Sequence, residues 1–334
     1  YHSRAVQPVL LRWWETPDDA SGDIVAAWLR TWAAATVAAE RGKPAGILPS
    51  ALHWPTGAPG GPEGQWWNPK CHYNEDTFQY PRALSMMARS LVQAAVVTGE
   101  GPYMEAVRAM ADIVRAQLRG ELEGDEEGGT AWAASKLQGG LSDALEKHRL
   151  ATGDDEFDDL IDALGSPYSR FLFFGEKDDL AAALKDAAAA FSHNQAAFTS
   201  EVRFTDRVLK FTARYANTYA DPPIENPRPS LLYETLTGDV VDPLYMPLPG
   251  VRWNTSPRDI ALLVSTNLPE AFSAELFGFG ESEREMGARL LRFQGEAAWS
   301  LECPSSRQEG ITAQGLATFL LPPGEACLLT ASPE

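Results

Sequence analysis

Residues 64–83, with the sequence GQWWNPKCHYNEDTFQYPRA, concentrate rings and titratable groups in one short segment. His72 could accept or deliver a proton near neutral pH, because an unperturbed imidazole titrates there. Asn74 could donate a hydrogen bond to a carboxylate or carbonyl and stabilise charge that develops on it. Tyr73 or Tyr80 could transfer a proton to or from a sugar carbon or a leaving oxygen. His72, Asn74 and Tyr80 are the first candidates for catalysis.

Two carboxylic acids, Glu75 and Asp76, lie within the same segment and could act as general acid or base. Neighbours in an extended chain face opposite ways, so they do not form the facing pair that cleaves one glycosidic bond. One of them would need a distant carboxylate. The candidate partners are Asp143, Asp154 and Glu201. Alternatively, Asn74 or Asp76 caps the helix that starts near Pro81.

Aromatic residues surround these polar groups in a Pro/Gly-rich stretch of about forty residues, and a long loop of this kind is usually functional or disordered. Disorder fits poorly, because leaving so many rings in water is costly. Aromatic planes pack well against the C–H faces of sugar rings, so we expect an ordered, substrate-binding loop. Its candidate binding residues are His53, Trp54, Trp66, Trp67 and Tyr73. Alternatively, Trp66 and Trp67 pin the loop onto the helices.

A second polar group lies at residues 192–207, where an alanine-rich helix ends and strands are predicted to begin. His193 and Asn194 are rival candidates for the site, because junctions between domains often hold ligands. Alternatively, His193 interacts with the negative end of the helix and Asn194 caps it. His148 lies in a basic helix end, LEKHRLATG, and is expected at the surface.

Apolar residues recur at helical spacing through the first 200 residues. The predicted helical segments are 22–43, 83–100, 102–120, 131–154, 156–165 and 178–198. Segments 96–107 and 150–161 share a helix–TG(D/E)–helix unit, in which the glycine can adopt the left-handed conformation that ends a helix. The acidic residue that follows the glycine interacts favourably with the positive N-terminal end of the next helix. A related junction lies at 13–19. Repeated helical hairpins of this kind favour a toroid or solenoid over a four-helix bundle.

After residue 200 the chain consists of short apolar or alternating runs punctuated by Gly, Pro, Asn and Ser. This pattern is typical of strands in an antiparallel β-sandwich. The predicted fold is therefore mainly α with a C-terminal β domain. Residues 1–200 would form an incomplete (α/α) toroid-like domain, and residues 201–334 the antiparallel β-sandwich.

The chain has 334 residues, a net charge of −18 and a sequence pI near 4.7. Such a negative field repels nucleic acid and anionic membranes, although it also fits mere solubility or a salty habitat. No stretch is apolar enough to cross a membrane. The sequence has no GxGxxG after a strand, no GxxxxGK(S/T), no HExxH and no GxSxG. We therefore expect neither a nucleic-acid nor a membrane partner.

The three cysteines are Cys71, Cys303 and Cys327, and none of them forms a CxxC pair. A cysteine zinc site is therefore not expected, and neither a metal nor another cofactor is predicted. A bridge between Cys303 and Cys327 is one possibility that sequence leaves open. The oligomeric state is likewise left open. The chain begins at Tyr1, and we expect a secreted or periplasmic protein whose leader is not visible in this sequence.

The pattern Tyr80-Pro81-Arg82-Ala83…Leu91…Thr98-Gly99-Glu100…Tyr103 is similar to a helix pair of the (α/α)-toroid carbohydrate-active enzymes. These include polysaccharide lyases of the alginate-lyase and heparinase type and several inverting glycoside hydrolases. The resemblance is architectural, and about seven visible helices would give a partial ring. Such lyases use a tyrosine and often a histidine as base and acid, with an asparagine or arginine that neutralises the uronate carboxylate. The resemblance thus implies roles for His72, Asn74 and Tyr80, with Arg82 as a carboxylate partner.

The expected function is cleavage of a polysaccharide or oligosaccharide, foremost by a lyase that performs β-elimination on a uronate-containing glycan. One alternative is an inverting glycoside hydrolase that uses Glu75 or Asp76 with a distant carboxylate. Another is a non-catalytic glycan-binding protein, in which the aromatic loop is the binding platform.

Overall fold

The computed structural model describes residues 2–15, 19–60, 65–68, 80, 84–99, 101–195, 230–237, 240, 250–268, 270–290, 293, 296–312 and 315–333. Its N-terminal part is helical and its C-terminal part forms antiparallel sheets, as the sequence predicts. Six predicted site residues lie outside the described residues. They are His72, Tyr73, Asn74, Glu75, Asp76 and Arg82.

The predicted helical segments are confirmed, with ends that differ by a few residues. The helices are α1 (His2–Glu15), α2 (Asp19–Val37), α3 (Leu84–Thr98), α4 (Gly101–Leu118), α5 (Thr130–Thr152), α6 (Asp158–Leu164), α7 (Pro167–Phe174), α8 (Lys177–Asn194) and α9 (Leu231–Thr237). Helices α1, α7 and α9 were not among the predicted segments, although the junction at 13–19 implied a helix before it. Helices α7 and α9 have only 8 and 7 residues, so apolar periodicity gives a weak signal there.

Consecutive helices pack as hairpins, and alternate helices lie side by side, so that α1, α3 and α5 form one row and α2 and α4 a second. On α4 the buried stripe includes Tyr103, Val107 and Met110, which recur at helical spacing. The Tyr103 hydroxyl donates to the Ala26 carbonyl oxygen of α2 at 3.1 Å. The shared core of the two rows therefore holds the hairpins in register.

The two TG junctions end their helices as predicted. Gly99 and Gly153 have φ angles of 70° and 75°, in the left-handed region that glycine adopts at little cost. Each glycine amide donates to the carbonyl oxygen four residues earlier. Thr98 and Thr152 repeat this pattern with their hydroxyl groups, each at 2.8 Å. The repeat in sequence is therefore also a repeat in local structure.

In its described residues, the β region contains two antiparallel sheets. Its strands are β3 (Val251–Trp253), β4 (Ile260–Leu268), β5 (Ala271–Gly278), β6 (Arg284–Leu290), β7 (Ala297–Glu302), β8 (Arg307–Ile311), β9 (Leu316–Leu321) and β10 (Ala326–Pro333), while β1 (Leu52–His53) and β2 (Ala58–Pro59) form a hairpin in the N-terminal part. The five-stranded sheet has the order β4-β5-β10-β7-β8, and the three-stranded sheet has the order β3-β6-β9.

Both sheets bury alternate side chains in one common cluster, which includes Trp253, Phe272, Trp299 and Phe319. This layering is the one expected for two faces that alternate between core and solvent. A disulfide joins Cys303, next to β7, to Cys327 of β10. The bridge that the sequence left open is thus present in the structure.

Helix α9 belongs with the helices and not with the sheets. Leu231 and Val240 are buried in a cluster with Tyr168 of α7 and Leu180 of α8. The helical part therefore includes residues beyond the boundary expected at residue 200. Residues 200–215, the first part of the predicted β-sandwich, lie outside the described residues. Within the described part of the chain, no helix has the length and apolar character needed to cross a bilayer.

Candidate functional site

A cleft of about 1120 Å³ lies where the helices meet the three-stranded sheet, and we name it the junction cleft. Its helical wall is built from the end of α3, the start of α4 and the end of α5. Its sheet wall comes from β3, β6 and the residues that follow them. Its charged or titratable wall residues, within the described part of the chain, are Arg108, His148, Asp154, Arg252 and Arg289.

Both TG junctions line this cleft, since Thr98 and Gly99 lie in its wall together with Thr152 and Gly153. Each junction ends the first helix of a hairpin, and those helices lie side by side. The sequence therefore identified the two helix-ending turns that line the cleft, although nothing in the repeat indicated that a cavity would form there.

Two arginines of the sheet wall oppose each other directly. Arg252 of β3 and Arg289 of β6 are cross-strand partners, and both line the cleft. Like charges in this arrangement disfavour the sheet unless other groups compensate. Part of the compensation is visible, because Arg252 Nη1 donates to the Val97 carbonyl oxygen at 3.0 Å, at the negative end of α3. The pair brings two guanidinium groups to this wall in a chain of net charge −18, and both arginines also make further interactions.

Arg108 adds a third guanidinium group from α4. It makes a bidentate ion pair with Glu156, with N–O distances of 2.6 and 2.8 Å. The hydrogen bond to Glu156 raises the pKa of Arg108 above its usual range. Asp154 of the α5–α6 junction also lines the cleft, and its Oδ1 accepts the Glu156 amide at 3.0 Å. The helical wall thus carries charges of both signs.

His148 was expected at the surface, and that expectation is wrong. The side chain is only 5% exposed because its part of α5 is covered by neighbouring helices, yet it lines the cleft. Its Nδ1 atom is enclosed and has no hydrogen-bond partner among the described residues. The ring meets the ring of Phe157 edge-on, with centroids 5.6 Å apart. Buried polar groups usually have a partner, although other enclosed atoms of the described residues, such as Trp66 Nε1 and the side-chain amide of Gln93, also lack one.

Burial lowers the pKa of His148, because desolvation disfavours the charged imidazolium. Asp154 and Glu156 act in the opposite direction, while Arg108 and Arg149 lower the pKa further. The balance leaves the imidazole neutral at pH 7. A neutral imidazole on the wall of a cleft can accept a proton from a bound molecule.

Trp66 and Tyr80 of the aromatic loop lie in the helical core and do not present open faces to solvent. Trp66 is 1% exposed, and its ring meets those of Trp67, Tyr80 and Trp132 at centroid distances of 5.4, 5.3 and 6.4 Å. In the described structure this contact pins the loop to the start of α5. The alternative considered from sequence, in which tryptophans anchor the loop, therefore describes the position of Trp66.

The Tyr80 hydroxyl donates to the Ala133 carbonyl oxygen at 3.0 Å. Burial raises the pKa of this phenol above its usual range. In this arrangement Tyr80 is a structural donor and does not reach the junction cleft. Ala133 and His148 lie about four turns apart on α5, which is about 22 Å at a rise of 1.5 Å per residue. The aromatic loop is therefore anchored at the opposite end of α5 from the cleft.

Trp54 and His53 occupy the β1–β2 hairpin of the same loop. Trp54 is 88% exposed, so its ring is open to a ligand. His53 Nδ1 lies 3.2 Å from the Thr56 hydroxyl, a contact that steadies the turn. Trp67 is partly buried, and its ring lies over Gly128, where a Cβ would come within 2.4 Å of it.

The rival pair lies in the last turn of α8, with His193 exposed and Asn194 buried. Asn194 is the last helical residue, and neither side chain lines the junction cleft. Of the proposed partner carboxylates, Asp154 lines the cleft and Asp143 does not, while Glu201 lies outside the described residues.

Sequence reasoning missed four residues of the cleft, namely Arg108, His148, Arg252 and Arg289. The TG repeat contained information about one of them, His148. Thr98 bonds the carbonyl of Ala94, and Thr152 bonds that of His148 at the equivalent position. A histidine in place of a fully buried alanine is a departure from the repeat that could have been noticed.

Among the described residues, no group of three or more His, Cys, Asp or Glu side chains is arranged to hold a metal ion. Comparison with protein-family models and with curated proteins finds no match for the chain.

Proposed function

We propose that the protein is a polysaccharide lyase that binds a uronate-containing glycan in the junction cleft and cleaves it by β-elimination. The observation that carries this proposal is the directly opposed pair Arg252 and Arg289 on one wall of a large cleft. In a chain of net charge −18, two adjacent guanidinium groups on a cavity wall favour an anionic ligand. Planar guanidinium groups match carboxylates in shape as well as charge.

β-Elimination beside a uronate carboxylate needs three functions: neutralisation of the carboxylate, removal of the adjacent proton, and protonation of the leaving oxygen. The arginines of the cleft are suited to the first function. The candidates from sequence for proton transfer, His72 and Tyr80, belong to the aromatic loop, and Asn74 and Arg82 would assist there. Tyr80 is buried in the core, while the other three lie outside the described residues.

The architecture supports the resemblance on which the lyase proposal first rested. Helical hairpins in two rows, followed by antiparallel sheets with a common core, are the elements of a partial (α/α) toroid joined to a β-sandwich. The Cys303–Cys327 disulfide supports a secreted or periplasmic location, because structural disulfides persist mainly in oxidising compartments.

An inverting glycoside hydrolase is the second candidate. The carboxylate of Asp154, one of the distant partners named from sequence, lies on the cleft wall, whereas Glu75 and Asp76 lie outside the described residues. Such enzymes hold their two carboxyl groups about 6.5–9.5 Å apart. A non-catalytic glycan-binding protein is the third candidate, favoured by the exposed face of Trp54.

A product assay separates the three functions. The protein is incubated with alginate, polygalacturonate, hyaluronan and heparin, and both near-ultraviolet absorbance and reducing ends are recorded. A lyase produces an unsaturated uronate that absorbs, a hydrolase produces reducing ends without absorbance, and a binding protein produces neither. Absence of the absorbing product from every glycan would refute the lyase proposal.

The variant Arg289→Gln tests the role of the cleft in binding. Loss of a charge-assisted hydrogen bond to a carboxylate should weaken binding by about 10-fold or more, at roughly 1.5–3 kcal/mol per such bond. Arg307→Gln is the matched control, because it makes the same change of charge on exposed strand β8. Equal affinities for both variants would place the binding site elsewhere.

A further inference from the structure

We propose that His148 is the catalytic residue that accepts the substrate proton in the junction cleft, an inference that rests on the proposed lyase function. It replaces the loop residues His72 and Tyr80 in that role. The aromatic loop is anchored about 22 Å from His148 along α5, so proton transfer by Tyr80 would not occur in the cleft that holds the arginines.

The position of His148 in the repeat supports this role. The equivalent residue of the other TG unit is Ala94, which is fully buried, and both positions receive a threonine hydrogen bond on the carbonyl. The fold therefore requires no polar side chain there. A largely buried imidazole on the cleft wall therefore does not follow from packing alone. Sites that break a local rule without a structural gain are often functional.

The surroundings suit a base that is neutral before reaction and charged after it. Burial and the charges of Arg108 and Arg149 keep the imidazole neutral, whereas Asp154 and Glu156 stabilise the imidazolium once it forms. The edge-on contact with Phe157 restricts the orientation of the ring. His148 also lines the same cleft as the opposed arginines that would hold the carboxylate.

The step is balanced without a further reactant. The C–H bond beside the carboxylate breaks, and the proton passes to the imidazole. The electron pair of that bond forms the carbon–carbon double bond as the adjacent C–O bond breaks. The leaving oxygen keeps the electron pair of the C–O bond and takes a proton from the imidazolium, which returns His148 to its neutral form. Arginines beside the carboxylate stabilise the negative charge that develops during proton removal.

The test compares His148→Gln and His148→Ala with the wild type on whichever of the four glycans it cleaves. Alanine occupies the equivalent position 94, so the helix accommodates it. Both variants should lose at least about 100-fold in kcat while binding an oligosaccharide of that glycan with affinity within about threefold. Lys136→Gln, an exposed change on the same helix, is the control and should leave kcat unchanged.

His72→Ala provides the decisive comparison. A large loss for His72→Ala with little loss for the His148 variants would overturn the inference and leave the lyase function standing. Absence of unsaturated product from the wild type on every glycan would overturn both. The pH profile of the wild type is a separate test that needs no variant. Its kcat/KM should fall as pH is lowered, and the fall should begin below the usual titration range of a histidine, because burial lowers the pKa of His148. A kcat/KM profile with no acidic fall at any pH at which the protein stays folded would overturn the proposal.

Discussion

Glu146 is a fully buried carboxyl group in the middle of the helical part, and its ionisation should make stability depend on pH. Ser142 Oγ donates to one carboxyl oxygen at 2.8 Å, and Ser169 Oγ of α7 donates to the other. Burial is the main cause that raises the pKa of Glu146 from 4.5 to about 7. The charges of Asp143 and Glu234 raise it further, and the two serine hydrogen bonds lower it.

The sign and size of the effect follow from linkage between protonation and folding. Below pH 4.5 Glu146 is protonated in both the folded and the unfolded chain, and its contribution to stability is fully present. Between pH 4.5 and about 7 the unfolded chain releases this proton more readily, so stability falls as pH rises. At about 1.4 kcal/mol per pH unit, the full loss above pH 7 is about 3 kcal/mol.

The variant Glu146→Gln removes the titration and keeps an oxygen that can accept a serine hydroxyl. We expect the variant to be more stable than the wild type at pH 8, by up to about 3 kcal/mol. At pH 5 the difference should shrink to less than about 1 kcal/mol. Urea unfolding, followed by circular dichroism at 222 nm, measures this free energy at each pH.

Glu105→Gln is the matched control, because Glu105 lies exposed on α4. It should change stability by less than about 0.5 kcal/mol at either pH. The reasoning fails if the effect of Glu146→Gln is the same at pH 5 and pH 8, or if the variant is the less stable protein at pH 8.

Three further changes test the described contacts. Tyr80→Phe should lower the free energy of unfolding by about 1 kcal/mol, measured by urea unfolding, because it removes the buried hydrogen bond of the hydroxyl group. The catalytic role predicted from sequence requires instead a loss of at least about 100-fold in rate, which the lyase assay measures. Gly128→Ala should cost on the order of 1–3 kcal/mol and alter tryptophan fluorescence, because φ is +87° and a Cβ would meet the Trp67 ring. Replacing both Cys303 and Cys327 with serine should lower the stability of the β region by about 3 kcal/mol, given a separation of 24 residues, as thermal unfolding of oxidised and variant protein would show.

Local patterns predicted the helices and strands well, because apolar periodicity reports directly which face of an element is buried. The segments at 83–100 and 102–120 became α3 and α4, and the short apolar or alternating runs after residue 200 include strands such as β7. The TG junctions were readable for the same reason, since the left-handed glycine that ends a helix is a local requirement.

The site was harder to predict because it depends on contacts between distant parts of the chain. Arg252 and Arg289 are 37 positions apart and become neighbours only through the pairing of β3 with β6. His148 appeared to be a surface residue because its flanking residues are charged, yet Glu146 and Lys147 beside it are buried as well. Charge in a helical sequence therefore did not report exposure in this part of α5.

The TG repeat explains why titratable side chains could be placed together at one end of the helical part. When hairpins stack side by side, the first helix of each hairpin ends at the same edge, so the TG junctions line up there. The turns themselves satisfy the backbone groups, through glycine amides and threonine hydroxyls, and so place no demand on the side chains one turn earlier. Those positions can then differ between repeats without loss of the fold. Ala94 and His148 differ in this way, and the sheet brings its arginines to the same edge.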